Sequence, residues 1–139
     1  MQMKGKNIEI PQDSFVYFQL VFPKIIETIR LAAAPPEDQI AAFSVSDFPP
    51  EEVPFLVEHA TLMSKNLNNK GFLSLEKLIS VTHIDEKFNN FSKNDWTIEA
   101  MKNAESWKSV RRIALMALKT FNVSYATPNL YWIVDMTNC

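Results

Sequence analysis

A chain of 139 residues with 47% hydrophobic and 22% charged residues has the size and mixture of one globular domain. That composition excludes a disordered tail, a collagen-like fibre and a polytopic membrane protein. The formal net charge of −2 offers no overall basic field for nucleic acid, and two glycines leave little material for a phosphate-cradling loop or a turn-rich β-sandwich.

The first residues, Met1–Asn7, are polar, and Pro11 interrupts the short apolar run Ile8–Ile10. Residues 1–12 are therefore expected to be loose. Asp13 or Ser14 can cap a helix, because a side-chain oxygen there accepts from an otherwise orphan backbone N–H. Phe15, Phe18, Phe22, Ile25, Ile26 and Ile29 then follow at spacings of three and four, one helical face. Pro23 sits inside that face and removes a backbone donor, so a kink or break is expected before the helix ends near Ala34. Lys4 and Lys6 ahead of an apolar run imitate a signal peptide, but Glu9 and Asp13 interrupt it, and Lys24, Glu27 and Arg30 follow. No signal is expected, and the cytoplasm is the expected compartment. The one cysteine, Cys139, has no internal partner for a disulfide.

Pro36 suits the first turn of a short helix over Glu37–Phe43, followed by a loop at Ser44–Pro49. Pro50, Glu51 and Glu52 open the next helix, with carboxylates at its positive end. Phe55, Leu56, His59, Leu62, Met63 and Leu67 supply its expected apolar side, and Gly71 its left-handed cap. Ser74 caps a further helix with Leu75, Leu78, Ile79 and Thr82 inward, and a bend precedes Ile84, Phe88 and Phe91. Asn94 or Asp95 starts a short helix containing Trp96 and Met101. Ala104–Phe121 is the clearest amphipathic segment, with Trp107, Val110, Ala114, Ala117, Leu118 and Phe121 on one side and Lys108, Arg112 and Lys119 on the other. Ser124–Pro128 reads as a turn, and Leu130–Val134 as a strand or a packed aromatic tail. The expected fold is all-α: a single-domain bundle of six to eight helices over residues 1–139, with residues 122–139 as a C-terminal tail.

Catalytic motifs dependent on glycine or cysteine spacing are absent from the sequence. His59 and His83 could serve as base and acid in ribonuclease chemistry, since imidazole titrates near neutrality. The alternative is that they are ordinary histidines of a core or cap. His83, Asp85 and Glu86 cluster without a second group to complete a metal shell, so no metal or cofactor is expected. Lys108, Arg112 and Lys119, with Arg111 beside them, could touch a nucleic-acid backbone, or could simply be the solvated side of a helix.

Charge layout is more specific. Residues 31–64 hold Glu37, Asp38, Asp47, Glu51, Glu52 and Glu58 and no lysine or arginine, whereas residues 65–119 hold ten basic and six acidic residues. A nearly neutral chain thus concentrates its negative charge in one span, with Phe43, Phe48 and Phe55 interleaved. Such a surface can steer and hold a basic partner. The competing explanation is that these carboxylates serve helix N-termini and internal pairs.

The passage Ala32–Ile40, the acidic stretch Phe48–Glu58, and the later Ser74–Leu78, Trp96–Met101 and Ser106–Arg112 together resemble the helical immunity proteins of bacterial contact-dependent growth inhibition systems. The resemblance covers residues 14–121 and is one of pattern rather than of a diagnostic motif. It implies a non-enzymatic protein that binds and neutralises a cognate toxin domain, commonly a nuclease and here an RNase more readily than a DNase, as a monomer in a one-to-one complex. It implies no membrane and no direct nucleic-acid contact. Combined with the charge layout, it makes Glu37, Asp38, Asp47, Phe48, Glu51, Glu52, Phe55 and Glu58 the candidate toxin-binding residues.

Overall fold

The computed structural model describes the backbone of residues 6–46 and 50–129, and the side chains of residues 14–42 and 50–129. The described residues are all-helical, with no strand. Six α-helices run α1 (Lys6–Ala33), α2 (Pro36–Ser46), α3 (Val53–Asn69), α4 (Leu75–Asn89), α5 (Ile98–Asn103) and α6 (Glu105–Thr120). Short 3-10 turns at Pro50–Glu52 and Lys93–Asp95 precede α3 and α5. Helices α1, α3, α4 and α6 form a closed ring of neighbours: α1 packs on α3 and α6, and α4 packs on the same two. The core they enclose includes Ile25, Ile29, Leu31, Val53, Val57, Leu67, Ile84, Trp107 and Leu118, each almost wholly shielded from solvent. Burial of this apolar surface is the main driving force for the arrangement.

Helix α1 corrects four sequence expectations. Its 28 residues, about 42 Å of helix, start at Lys6 and pass without a break through Pro11 and Pro23. Residues 6–12 are helical rather than loose, and Ser14 is a buried residue within the helix rather than its cap. The break expected at Pro23 does not occur. Pro23 is exposed, as is Gln19, whose carbonyl loses the N–H that Pro23 lacks, so water can take that place. Buried Val21, Ile25 and Ile26 meanwhile hold both sides of Pro23 against the core. Phe15 is half-exposed rather than inward, though it meets Phe72. Phe18 stacks on Phe72 and Phe22 approaches Phe121, closing the end of the bundle.

Chain reversals follow local chemistry. After α3, Gly71 adopts φ +84°, Phe72 N–H donates to Leu67 O at 2.8 Å and Gly71 N–H to Asn68 O at 3.0 Å. This is the paired-bond Schellman ending that a left-handed residue permits. Asn122, at φ 58°, ends α6 the same way, with Val123 N–H donating to Leu118 O at 2.9 Å. Ser74 caps α4 as expected, accepting from Lys77 N–H at 3.2 Å. Helix α4 is continuous, so the bend expected before Ile84 is absent. Its buried residues are Val81, Ile84 and Phe88, whereas Leu75 and Ile79, expected inside, are 61% and 58% exposed. The phase is set by aromatic packing: Phe88 joins Phe91, Trp96 and Trp107, with ring centroids 4.9–6.3 Å apart. The short helix expected from Asn94 or Asp95 begins later, at Ile98, capped by Thr97. Asp95 instead accepts from Ser92 N–H at 2.8 Å and Ser106 Oγ at 2.9 Å, while its carbonyl accepts from Trp107 Nε1 at 2.7 Å. These bonds hold its carboxyl below the ordinary aspartate range, led by the Ser92 backbone.

Arg111, in the middle of α6, turns inward. Its Nε donates to Ala34 O at 3.1 Å, and one terminal nitrogen donates to Gln39 Oε1 at 3.0 Å and to Met101 O. Gln39, fully buried in α2, donates in turn to Leu31 O at 3.0 Å. One guanidinium therefore ties α6 to the end of α1, to α2 and to the end of α5.

Residues 123–129 form an irregular strap without the turn expected at Ser124–Pro128. Ser124 O accepts from Arg30 Nε at 3.2 Å and from a second Arg30 nitrogen at 3.1 Å, while Asn129 N–H donates to Glu27 Oε1 at 2.8 Å. Tyr125 Oη donates to Asp38 Oδ2 at 2.6 Å. The strand or packed tail expected at Leu130–Val134 lies outside the described residues. Burial, then the bond to Asp38 and the charges of Asp38 and Glu37, push the Tyr125 phenol well above its usual value. Its contribution to stability is thus complete below the ordinary tyrosine pKa and is lost only as pH rises through the higher folded value. In an alkaline absorbance titration, Tyr125→Phe is expected to leave the phase near about pH 10 unchanged in amplitude. A fall of about a third, one tyrosine of the three in the chain, would contradict this.

Candidate interaction surface

The acidic span does not behave as one surface. Glu37 and Asp38 lie in the first turn of α2, where carboxylates favour the helix dipole. Asp38 is half-buried and engaged by Tyr125, 87 residues away in sequence. Glu37 is exposed and lines a shallow cavity with Pro36, Ile40, Ala41 and Lys102. Its charge also reaches Arg111 and Tyr125. The α2 carboxylates are therefore partly committed to holding the fold.

The α3 group faces outward. Glu51 is exposed and Glu52 half-buried on the 3-10 turn before the helix, and neither is in an ion pair among the described residues. Phe55 is 63% exposed, although its sequence position suggested an inward side chain; Leu62, 52% exposed, departs in the same way. His59 and Glu58 are exposed beside them. The side chains that enter the core from α3 are Val53, Leu56, Val57, Ala60, Thr61, Ser64 and Leu67. Asp47 and Phe48 lie outside the described residues.

The sequence span misses the partners of Glu58. Helix α4 returns along α3 after the turn at residues 70–74 and brings Asp85 opposite Glu58 and Lys65, with Glu86 next to it. Desolvation first, then repulsion from Glu58 and Glu86, pushes the Asp85 carboxyl above its ordinary value, against the opposing pull of Lys65. The sequence signal was the adjacent pair Asp85-Glu86 in a helix that follows α3 by a tight turn. Its meaning depended on the register of the hairpin.

The rival chemistries find weak geometry. His59 and His83 are exposed on separate helices, and no hydrogen bond joins them. No group of three or more histidine, cysteine, aspartate or glutamate side chains could hold a metal ion among the described residues. Lys108, Arg112 and Lys119 are exposed on α6, with Arg112 3.6 Å from Glu105 in a solvent-exposed pair. Arg111 is removed from this stripe by its inward bonds, and burial lowers its pKa while Glu37 opposes that shift.

Comparisons with protein families, with curated proteins and with solved structures give no match. Among the described residues no helix is long and apolar enough to cross a membrane.

The raised Asp85 carboxyl fixes the sign of a pH effect. A folded pKa above the unfolded one favours the fold when the group is protonated, below about pH 3.8, and that advantage is lost as pH rises through the folded value. Asp85→Asn is therefore expected to raise the melting temperature at neutral pH, with the gain shrinking at pH 3. Thermal unfolding followed by circular dichroism at the two pH values checks this, and a neutral-pH loss of stability would contradict it.

Proposed function

We propose that this chain is an interaction protein: an immunity protein that binds and neutralises a cognate toxin domain, with a basic nuclease surface as its target. The reading is carried by Phe55, a large aromatic side chain 63% exposed between the exposed carboxylates of Glu51 and Glu58. Aromatic anchors beside charges are the residues that dominate protein interfaces. A nuclease domain must be basic to hold its substrate, so a carboxylate-rich inhibitor can occupy the place of the phosphates. The inhibitor acts in the toxin-producing cell's cytoplasm as a monomer, one per toxin domain, and blocks an RNase rather than a DNase.

The α3 group is the better interface than the α2 group, because Asp38 already has an internal partner. The α2 carboxylate with a free face is Glu37, which therefore forms the rim rather than the centre. A carboxylate buried against a toxin arginine or lysine should cost about 2–5 kcal/mol of affinity when truncated, whereas a rim charge alters mainly the association rate and its salt dependence.

The experiment pairs the purified protein with the toxin domain encoded beside it and measures binding at low and high salt. Phe55→Ser and the double variant Glu51→Lys/Glu52→Lys are expected to weaken binding and lose protection in a growth assay, while circular dichroism stays native. Unchanged affinity at both salts would remove this surface from the interface. Cleavage of RNA by the protein alone, abolished by His59→Ala or His83→Ala, would replace the reading with the enzymatic one.

A further inference from the structure

The α3–α4 hairpin exposes more apolar surface than its own carboxylates explain. Phe55 and Leu62 on α3, and Leu75 and Ile79 on α4, are 63%, 52%, 61% and 58% exposed. Spacings of three and four place Phe55, Glu58 and Leu62 on one stripe of α3, and spacings of four and seven place Leu75, Ile79 and Glu86 on one stripe of α4. Helix α4 packs along α3, and the half-buried Asp85 carboxyl feels the charges of Glu58 and Lys65 on that neighbouring helix. By helical spacing both stripes lie away from the residues that the two helices bury, Val57, Ala60 and Ser64 on α3 and Val81, Ile84 and Phe88 on α4. One end of the surface carries Glu58, Asp85 and Glu86, and among the charges acting on Asp85 that of Lys65 opposes them.

We propose that this outer face of the α3–α4 hairpin is a docking surface for a basic protein segment with an apolar stripe, such as an amphipathic cationic helix. The apolar side chains supply the contact area, and the three carboxylates select the sign of the partner. The Asp85 carboxyl is held partly out of water and is repelled by Glu58 and Glu86, and a partner cation placed there offsets both. A second copy of the chain is the poorer occupant. An antiparallel two-fold contact through the same patch would set the Glu58, Asp85 and Glu86 end of one copy against the Leu75 end of the other, so a second copy supplies no cation for these carboxylates. This deepens the inhibitor reading and rests on it for the expectation of a basic partner; Leu62, Leu75, Ile79, Asp85 and Glu86 lie outside the acidic span or were not assigned to it.

The test needs no toxin, so its failure is distinct from failure of the inhibitor reading. An amphipathic helical peptide of leucine and lysine is titrated into the full chain by calorimetry, beside a peptide with glutamate at every lysine position. The lysine peptide is expected to bind at least about tenfold more tightly at low salt, with the difference shrinking at high salt. Amide chemical shifts should move in residues 55–65 and 75–86. Glu58→Lys/Glu86→Lys should weaken binding about tenfold or more, and Leu62→Ser/Ile79→Ser should do so at both salts. Because all four side chains are at the surface, circular dichroism is expected to stay native. Equal binding of the two peptides, shifts confined to other helices, or variants that bind like the native chain would overturn the proposal. So would a concentration-dependent dimer in sedimentation that Leu62→Ser/Ile79→Ser dissolves, since that would make a second copy the occupant.

Discussion

The guanidinium of Arg111 is where three helix ends are joined. Ala34 O, just past α1, and Met101 O, in the last turn of α5, are carbonyls that a helix leaves unpaired at its negative end. Arg111 satisfies both, and its third acceptor is the buried amide of Gln39. Arg111 is in no ion pair among the described residues; its charge is met by the ends of two helices and by the more distant Glu37. A planar fork with several fixed donors can serve these acceptors together, and a lysine ammonium could not. The short helices α2 and α5, which share little of the central core, gain their place through this residue.

Once that end of the bundle is fixed, the remaining polar groups sort by position. Asp38 and Glu27 hold the strap of residues 123–129, assisted by Arg30. Asp95 holds the entry to α6. Of the carboxylates that face solvent, Glu51, Glu58 and Glu86 lie on or next to the α3–α4 hairpin, where Phe55, Leu62, Leu75 and Ile79 are also exposed. Large apolar groups left in water beside like charges gain little for the isolated chain, and the proposed basic partner is the occupant that would cover them.

Much of this was legible in the sequence where local chemistry decides. Gly71 as a left-handed ending, Ser74 as a cap and the two sides of α6 all follow from residue type and spacing. The helix through Pro23 did not, because an exposed carbonyl and a packed stripe outweigh one lost hydrogen bond. Nor did the inward phase of α4, which is chosen by Phe88 reaching Trp96 and Trp107 rather than by the apolar letters at Leu75 and Ile79. For the candidate site, Glu51 and Glu58 stood out from charge layout, and Phe55 as an aromatic residue interleaved with them. Asp38 stood out equally, yet its role depends on Tyr125, and Asp85 gains its meaning only from the hairpin that sets it against Glu58. Arg111 read as one more base beside a cationic stripe, since nothing local distinguishes an arginine that turns inward from one that does not.

The most direct test of this account is a double-mutant cycle on Arg111 and Gln39. Arg111→Met, Gln39→Leu and the double variant are compared with the native chain by urea unfolding. If the guanidinium joins α6 to α2 as described, each single change is destabilising, and the interaction energy between the two is at least about 1 kcal/mol, as for groups in one hydrogen-bond network. Effects that add to within about 0.3 kcal/mol would mean that the two residues act independently, and the central tie would not exist.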